Sequence, residues 1–248
     1  MKGDLSDLLR EWPYEPGRLN VRLIQGKDGR PCVQVRLDLG IVQMECEGRP
    51  DGEQPHGFRS LLEYFESEID EADPNDDQPV RLSVEDCRQL HEESMQYHHR
   101  YIAFLVLENF DAVVRDTTRN LRVIDLISER AESDSDRERF ERFRPYLTMM
   151  RARALAGQAM RDEEPKAAML AIDDALESLR QYFVKQGEST GFESSSEVEA
   201  LRSIRQSLVP QLPVSQRSEL VKRLADAVER ENYELAAILQ KELGMLKR

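Results

Sequence analysis

The side chains with the greatest capacity for chemistry are a cysteine and three histidines within one predicted helix. Cys87, His91 and His98 recur at helical spacing and His99 follows, so a thiol and imidazoles could face one metal ion. A fourth ligand is not evident, and the chain contains no Cys-x-x-Cys pair. His91 also begins a zinc-protease pattern, but Met95 stands where the second histidine is required. We therefore predict no metal site.

Two further segments resemble catalytic or phosphate-binding loops only superficially. The run Gly26-Lys27-Asp28-Gly29 lacks the spaced glycines and the Lys-Ser/Thr pair that hold phosphate and magnesium, so we expect a hairpin turn. One later loop collects titratable residues without the spacing of a base and a nucleophile: Arg49, Asp51, Glu53 and His56. We predict no catalytic residue and no cofactor.

Two arginine-containing segments allow two interpretations. Residues 115–120 and 142–146 combine arginine with aromatic or polar side chains. Guanidinium groups of this kind could bind an acidic peptide through paired hydrogen bonds. The alternative, which we favour, is that these arginines pair with nearby carboxylates and hold the helices in register.

Composition excludes several classes of protein. The 248 residues have a net charge of −13, with the acidic excess concentrated at residues 63–77, so direct binding to nucleic acid is disfavoured. Three cysteines do not suggest a disulfide framework. Neither a membrane span of about 18 apolar residues nor the apolar stretch of a signal peptide is present. We expect a cytoplasmic protein.

Residues 1–78 are predicted to form a small β-containing domain. A first strand covers residues 19–25, and a second places Val33, Val35, Leu37 and Leu39 on one buried face. After Gly40 the alternation changes phase, which indicates a bend into a third strand with Val42, Met44 and Cys46 inward. A helix over 58–69 and an acidic linker over 66–79 complete this region.

Residues 79–187 are predicted to form a helical body. Its apolar periodicity indicates helices over residues 83–108, 110–131, 136–160 and 164–185. The stretches beginning at Glu108 and Glu164 look alike, about 54 residues apart, whereas tetratricopeptide repeats recur at about 34 residues. The body is either a degenerate tetratricopeptide-like array or a plain helical bundle. The predicted fold class is mainly α, α+β overall.

The rest of the chain is predicted to be a tether followed by an αα-hairpin. Residues 188–214 are rich in Gly, Ser and Pro, with one short helix over 197–208. In residues 215–248, two apolar stripes at helical spacing flank the polar pair Glu231-Asn232. The predicted partner-binding face of the hairpin comprises Leu220, Leu224, Ala227, Tyr233, Ala236, Ala237 and Leu243.

The core of this hairpin, Tyr233-Glu234-Leu235-Ala236-Ala237, resembles the UVR motif of UvrB and UvrC. In those proteins the motif is a helical hairpin that pairs the two partners. Here Leu239-Gln240-Lys241 replaces the usual Leu-Arg-Asp, so a partner that recognises those charges would differ. The resemblance implies pairing with a UvrB- or UvrC-like protein, with a Clp ATPase, or with a second copy of the hairpin.

These patterns favour a non-enzymatic bacterial adaptor with a helical body and a pairing hairpin. One alternative is an accessory protein of nucleotide-excision repair, recruited to UvrB- or UvrC-type partners. A second is a regulator of a Clp ATPase or of a protein arginine kinase, although the zinc-binding cysteine pairs of known kinase activators are missing. The least supported alternative is an enzyme that uses residues 1–78.

Overall fold

The structure is a computed structural model that describes residues 4–72, 80–188, 190–211, 216–229 and 235–240. Helices predominate, and one antiparallel sheet lies near the N-terminus, which confirms the predicted fold class. The chain divides into two compact units, Met1–Gln206 and Ser207–Arg248. No helix among the described residues has the length and apolar character needed to cross a membrane.

The secondary-structure elements follow a simple order of sheet first and helices afterwards. The strands are β1 (Asn20–Gln25), β2 (Pro31–Arg36) and β3 (Ile41–Glu45). The helices are α1 (Ser6–Glu11), α2 (Leu61–Glu71), α3 (Val84–Val106), α4 (Phe110–Arg130), α5 (Asp134–Glu141), α6 (Arg144–Arg161), α7 (Pro165–Lys185), α8 (Gly191–Ser194), α9 (Ser196–Leu208) and α10 (Gln216–Glu229). Residues 235–240 are also helical.

The sheet is a three-stranded meander in the order β1-β2-β3. Gly29 adopts a φ of +82° in the first turn, which is the hairpin turn expected from the Asp-Gly pair. The second strand is shorter than predicted because the chain turns after Arg36, where the Leu37 N–H donates to the carbonyl of Gly40 (2.8 Å). The placement of Leu37 and Leu39 on one strand face with Val33 and Val35 was wrong, since β2 ends at Arg36 and both leucines lie exposed in this turn.

The sheet and the helical body share one hydrophobic core. Side chains from β2, β3, α2, α3, α4 and α6 belong to it, among them Val33, Val35, Met44, Leu62, Leu90, Phe104, Ile127 and Leu147. A small sheet gains stability by packing its apolar face against helices. The sheet and the helical body both lie within the compact unit Met1–Gln206.

Two arginines attach the loop after β3 to the helices. The Arg100 side chain is fully buried and forms a bidentate ion pair with Asp116 (2.7 and 2.8 Å). Its remaining terminal nitrogen donates to the carbonyls of Glu45 (2.9 Å) and Gly48 (2.8 Å). Arg115 binds Asp116 and donates to a third carbonyl of the same loop. The expected pairing of the arginines of residues 115–120 with carboxylates is observed, since Arg115 pairs with Asp116 and Arg119 pairs with Glu93 of α3.

The helical body is a series of helices in which α3 packs on α4, α4 on α6, and α6 on α7. The turns after α3, α6 and α7 have the same geometry, with a positive φ at Glu108 (55°), Glu163 (59°) and Gly187 (74°). At each turn the backbone N–H of the residue that follows the positive-φ position donates to the carbonyl five residues before it (2.7–2.9 Å). This bond satisfies one of the carbonyls left without a partner at the end of the helix. The likeness between the two stretches in the sequence thus reflects a repeated turn between paired helices.

One helical prediction needed correction. The predicted helix over 136–160 is divided into α5 and α6 by a break at residues 142–143. Pro145 explains the break, because proline has no N–H to donate and is tolerated only in the first turn of a helix.

The predicted short helix over 197–208 corresponds to α9, whereas the preceding part of the predicted tether contains a further helical element. Residues 191–194 form α8, and the Phe192 side chain is buried. Its ring contacts Phe183 (6.3 Å between centroids) and lies beneath the guanidinium groups of Arg180 (4.9 Å) and Arg202 (5.3 Å). One aromatic side chain therefore anchors a segment whose Gly- and Ser-rich composition predicts a solvated linker.

Candidate interaction surfaces

A groove of about 440 Å³ lies beside α3 and the start of α6. Its lining combines aromatic, apolar and a few polar side chains from α3, α4, the α5–α6 junction and α9. These are His91, Ser94, Met95, His98, Tyr101, Asn120, Ile124, Phe140, Arg142, Phe143, Tyr146, Leu147 and Glu197. The groove thus brings together the histidine helix and the 142–146 segment, which the sequence singles out for unrelated reasons.

One wall of the groove is formed by His91 and two phenylalanines. The His91 ring stacks on Phe143 (5.9 Å between centroids, 29° between planes) and meets the edge of Phe140 (5.6 Å). Partial burial, and secondarily the charge of Arg139, lower the pKa of His91 below its usual value. The imidazole is therefore neutral at pH 7 and serves as part of a flat, weakly polar wall.

The second histidine belongs to a small polar group within the groove. His98 Nδ1 lies 2.7 Å from the hydroxyl of Tyr101, and its ring is 6.0 Å from that of Tyr146. Burial lowers the pKa of His98 and raises that of Tyr101, so both side chains are uncharged at pH 7. A neutral imidazole and a protonated phenol can share one hydrogen bond without introducing charge into the groove.

The groove is lined mainly by aromatic and apolar side chains, and its two charged lining residues are Arg142 and Glu197. Met95 and Phe143 are 39% and 43% exposed, which is substantial for such large apolar side chains. Arg142 lines the groove, and Arg139 and Arg153 lie near enough to influence the pKa values of His91 and Tyr146. Within the described part of the chain, no ion pair joins any of these three exposed arginines to a carboxylate.

The other residues that the sequence singles out for possible chemistry lie in the core or contact neighbouring side chains. Cys87 lies in the hydrophobic core, where burial raises the pKa of its thiol to about 11. Among the described residues, no three His, Cys, Asp or Glu side chains are arranged to hold a metal ion. In the loop after β3, Arg49 lies 3.1 Å from Asp51 and 3.5 Å from the buried carboxylate of Glu93, while the His56 ring stacks on Tyr64 (4.2 Å).

In the second compact unit, α10 and residues 235–240 pack on each other. Ala227, Ala236 and Leu239 are buried in one cluster, with Leu224 partly buried against it. The small side chains lie between the two helical segments, where they permit a close approach. Leu239 did not belong to the predicted face, although its position three residues after Ala236 is the helical signal that places it there.

The rest of the predicted hairpin face is divided between exposed residues and residues outside the description. Ala237 is exposed. Two larger apolar side chains are also exposed, Val228 by 52% and Ile238 by 58%. Leu220, Tyr233 and Leu243 lie outside the residues whose side chains the structure describes.

Comparison with known proteins gives no relative for this chain. No family model matches it, and neither the curated proteins nor the solved structures provide a match. A functional hypothesis must therefore be based on the groove and on the exposed face of the second unit.

Proposed function

We propose that the protein is a non-enzymatic adaptor whose C-terminal helical pair binds another helical hairpin while its body binds a second partner. The observation that supports this most directly is the distribution of apolar side chains in the second unit. Its contact between helical segments uses two alanines, Ala227 and Ala236, together with one fully buried leucine. The larger Val228 and Ile238 face outward, where a partner can cover them.

Simple energetics favour pairing of such a unit. A two-helix unit that buries few large side chains gains little stability from its own packing. Burying a fully exposed Val or Ile side chain is worth about 1.5–3 kcal/mol, and Val228 and Ile238 are each roughly half exposed, so covering either one would contribute about half of that range. A matching hairpin could therefore stabilise the unit by an amount comparable to what it gains internally, with surrounding charges selecting the partner.

The partner class proposed is a helical hairpin of the same kind. The resemblance to the UVR motif supplies three candidates: a second copy of this chain, a UvrB- or UvrC-like protein, and a Clp ATPase. A role in nucleotide-excision repair would then operate through protein contacts, because a net charge of −13 opposes binding to DNA. Regulation of a Clp ATPase or of a protein arginine kinase would use the same face.

The test replaces the exposed hairpin residues Ala237 and Ile238 by aspartate in the full-length protein. Ala237→Asp and Ile238→Asp should leave the hairpin folded, since both side chains are exposed, yet place a charge where the partner packs. We expect each to weaken self-association, or binding to a purified UvrB-type or Clp protein, by about tenfold or more in sedimentation experiments.

The matched control is Leu170→Asp, which adds the same charge at a 60% exposed leucine of α7. It should leave pairing unchanged. If the two hairpin variants pair as well as the unmodified protein, the assigned face is wrong. If the unmodified protein stays monomeric and binds none of these candidates, the proposed function is wrong.

A further inference from the structure

We infer that the groove beside α3 and α6 binds an acidic peptide segment through one large apolar or aromatic side chain. This inference rests on the proposed function in one respect, namely that the helical body binds a protein partner. It adds the chemistry of that partner. It does not depend on the pairing of the C-terminal hairpin.

The interior of the groove suits a single large side chain. Its volume of about 440 Å³ lies within the range of about 300–1,000 Å³ that is common for binding pockets. The stacked rings of His91 and Phe143 form one flat wall, and Tyr146 contributes another aromatic surface. An inserted aromatic ring would find faces and edges at the distances that aromatic pairs prefer.

Met95 adds adaptability to this interior. A thioether side chain has several rotatable bonds and makes favourable contacts with aromatic rings, so it can adjust to occupants of different shape. Met95 is 39% exposed and reaches the groove from α3. The few polar groups, including the His98–Tyr101 pair, supply directional hydrogen bonds without a net charge.

The arginines in and near the groove indicate the charge of the peptide segment that would carry the inserted side chain. Nearby arginines are neutralised by acids: Arg144 binds Glu141 (2.7 Å) and Asp125 (2.8 Å), and Arg137 binds Asp134. The three arginines around the groove differ, since none forms an ion pair among the residues that the structure describes: Arg139, Arg142 and Arg153. Free guanidinium groups attract carboxylates and can bind them through two hydrogen bonds.

A carboxylate is also present in the lining, and it determines on which side of the groove the acidic residues of a partner can lie. Glu197 lies at the α9 side and accepts a hydrogen bond from the Ser195 hydroxyl (2.8 Å). Acidic residues of the partner should therefore avoid this side and face Arg139 and Arg142. A nucleic acid would also be attracted by arginines and aromatic rings, but it carries a charge at every phosphate, so an extended strand would also meet the acidic remainder of a chain with a net charge of −13. A short peptide needs only a few carboxylates close to Arg142.

The experiment is a selection from a random peptide display library on the immobilised full-length protein, followed by fluorescence anisotropy with the selected peptides. We expect enrichment of an aromatic or large apolar residue flanked by Asp or Glu. Phe143→Ala and Arg142→Glu should each weaken binding by about tenfold or more. Both side chains are exposed, so the variants should keep the circular dichroism and unfolding temperature of the unmodified protein.

Matched controls separate the groove from general surface effects. Arg59→Glu makes the same charge change at an exposed arginine outside the lining of the groove, and Leu170→Ala truncates an exposed leucine on α7. Both should bind the selected peptides as the unmodified protein does. Peptide binding should also persist in Ile238→Asp, so failure of hairpin pairing and failure of the groove would be seen separately.

Three results would overturn the inference. They are no enrichment of any peptide, enrichment without acidic residues, and binding that is unaffected by the two groove variants. A single-stranded oligonucleotide that displaces the peptides and binds more tightly than they do would also overturn it and would identify the groove as a nucleic-acid site.

Discussion

At the scale of single residues, the most constrained group is the buried Arg100. Its buried guanidinium group donates two hydrogen bonds to Asp116 and one each to the carbonyls of Glu45 and Gly48, and it lies 4.7 Å from the ring centre of Tyr97. Transferring such charges out of water is costly unless geometry and hydrogen bonding are complete. Removing one partner leaves the other buried without compensation.

We therefore predict that Asp116→Ala lowers the free energy of unfolding by about 3–5 kcal/mol. Arg100→Lys should also be strongly destabilising, because an ammonium group cannot reproduce the planar fork that contacts a carboxylate and two carbonyls. Urea denaturation followed by circular dichroism measures both. The control is Glu193→Ala, which removes the exposed ion pair with Arg202 and should leave the free energy of unfolding nearly unchanged. Equal losses at the buried and exposed pairs would contradict this account.

Residue identities alone did not reveal this role. The sequence indicated that the arginines of residues 115–120 pair with carboxylates, but it did not indicate Arg100, because its acceptors at Glu45 and Gly48 lie about fifty residues earlier in the chain. The acceptors are also backbone carbonyls, which every residue has. Periodicity cannot identify such a contact.

At the scale of elements, the repeated turns of the helical body have a measurable cost. Glu108 and Glu163 adopt a left-handed conformation that costs a residue with a Cβ atom about 1–2 kcal/mol. At the equivalent position after α7 the residue is Gly187, which adopts this conformation without that cost.

We predict that Glu108→Gly and Glu163→Gly each raise the free energy of unfolding by about 0.5–1 kcal/mol, because relief of strain outweighs the added entropy of the unfolded chain. The matched control is Glu177→Gly on the exposed face of α7, which should lower it by about 1 kcal/mol. Chemical denaturation of the three variants measures these changes in the free energy of unfolding. Destabilisation by the turn substitutions would show that the side chains, and not the backbone, determine these turns.

Individual helices could be predicted from sequence patterns, but a helix break and the groove could not. Helices α3 and α4 were well placed because their starts carry recognisable caps: Ser83 and Asp86 form a capping box, and Asn109 accepts from the N–H of Ala112. The break before α6 was missed because apolar periodicity continues across it. The groove could not be predicted, since its walls come from helices separated by about fifty residues and only packing brings Met95 near Phe143.

At the scale of the whole molecule, the main feature is the division into two compact units. The large hydrophobic core lies entirely within Met1–Gln206, while the second unit has its own small cluster around Ala227 and Leu239. A chain that ends after Val214 should therefore unfold cooperatively at a temperature within a few degrees of the full-length protein. Thermal unfolding followed by near-ultraviolet circular dichroism measures this. Loss of the cooperative transition would mean that the second unit is required for the first to fold.

The attachment of the loop after β3 has a consequence for how this sequence can change. Arg100 and Arg115 contact this loop through the carbonyl oxygens of Glu45, Cys46 and Gly48, atoms that any substitution preserves. Gly48, with a φ of +66°, favours glycine, and Cys46 must remain apolar because its side chain is buried in the core. Mutations could therefore accumulate at exposed neighbouring positions such as Glu47 while the sheet remains docked, so distant descendants of this chain would retain the two arginines and the glycine beneath an altered loop surface.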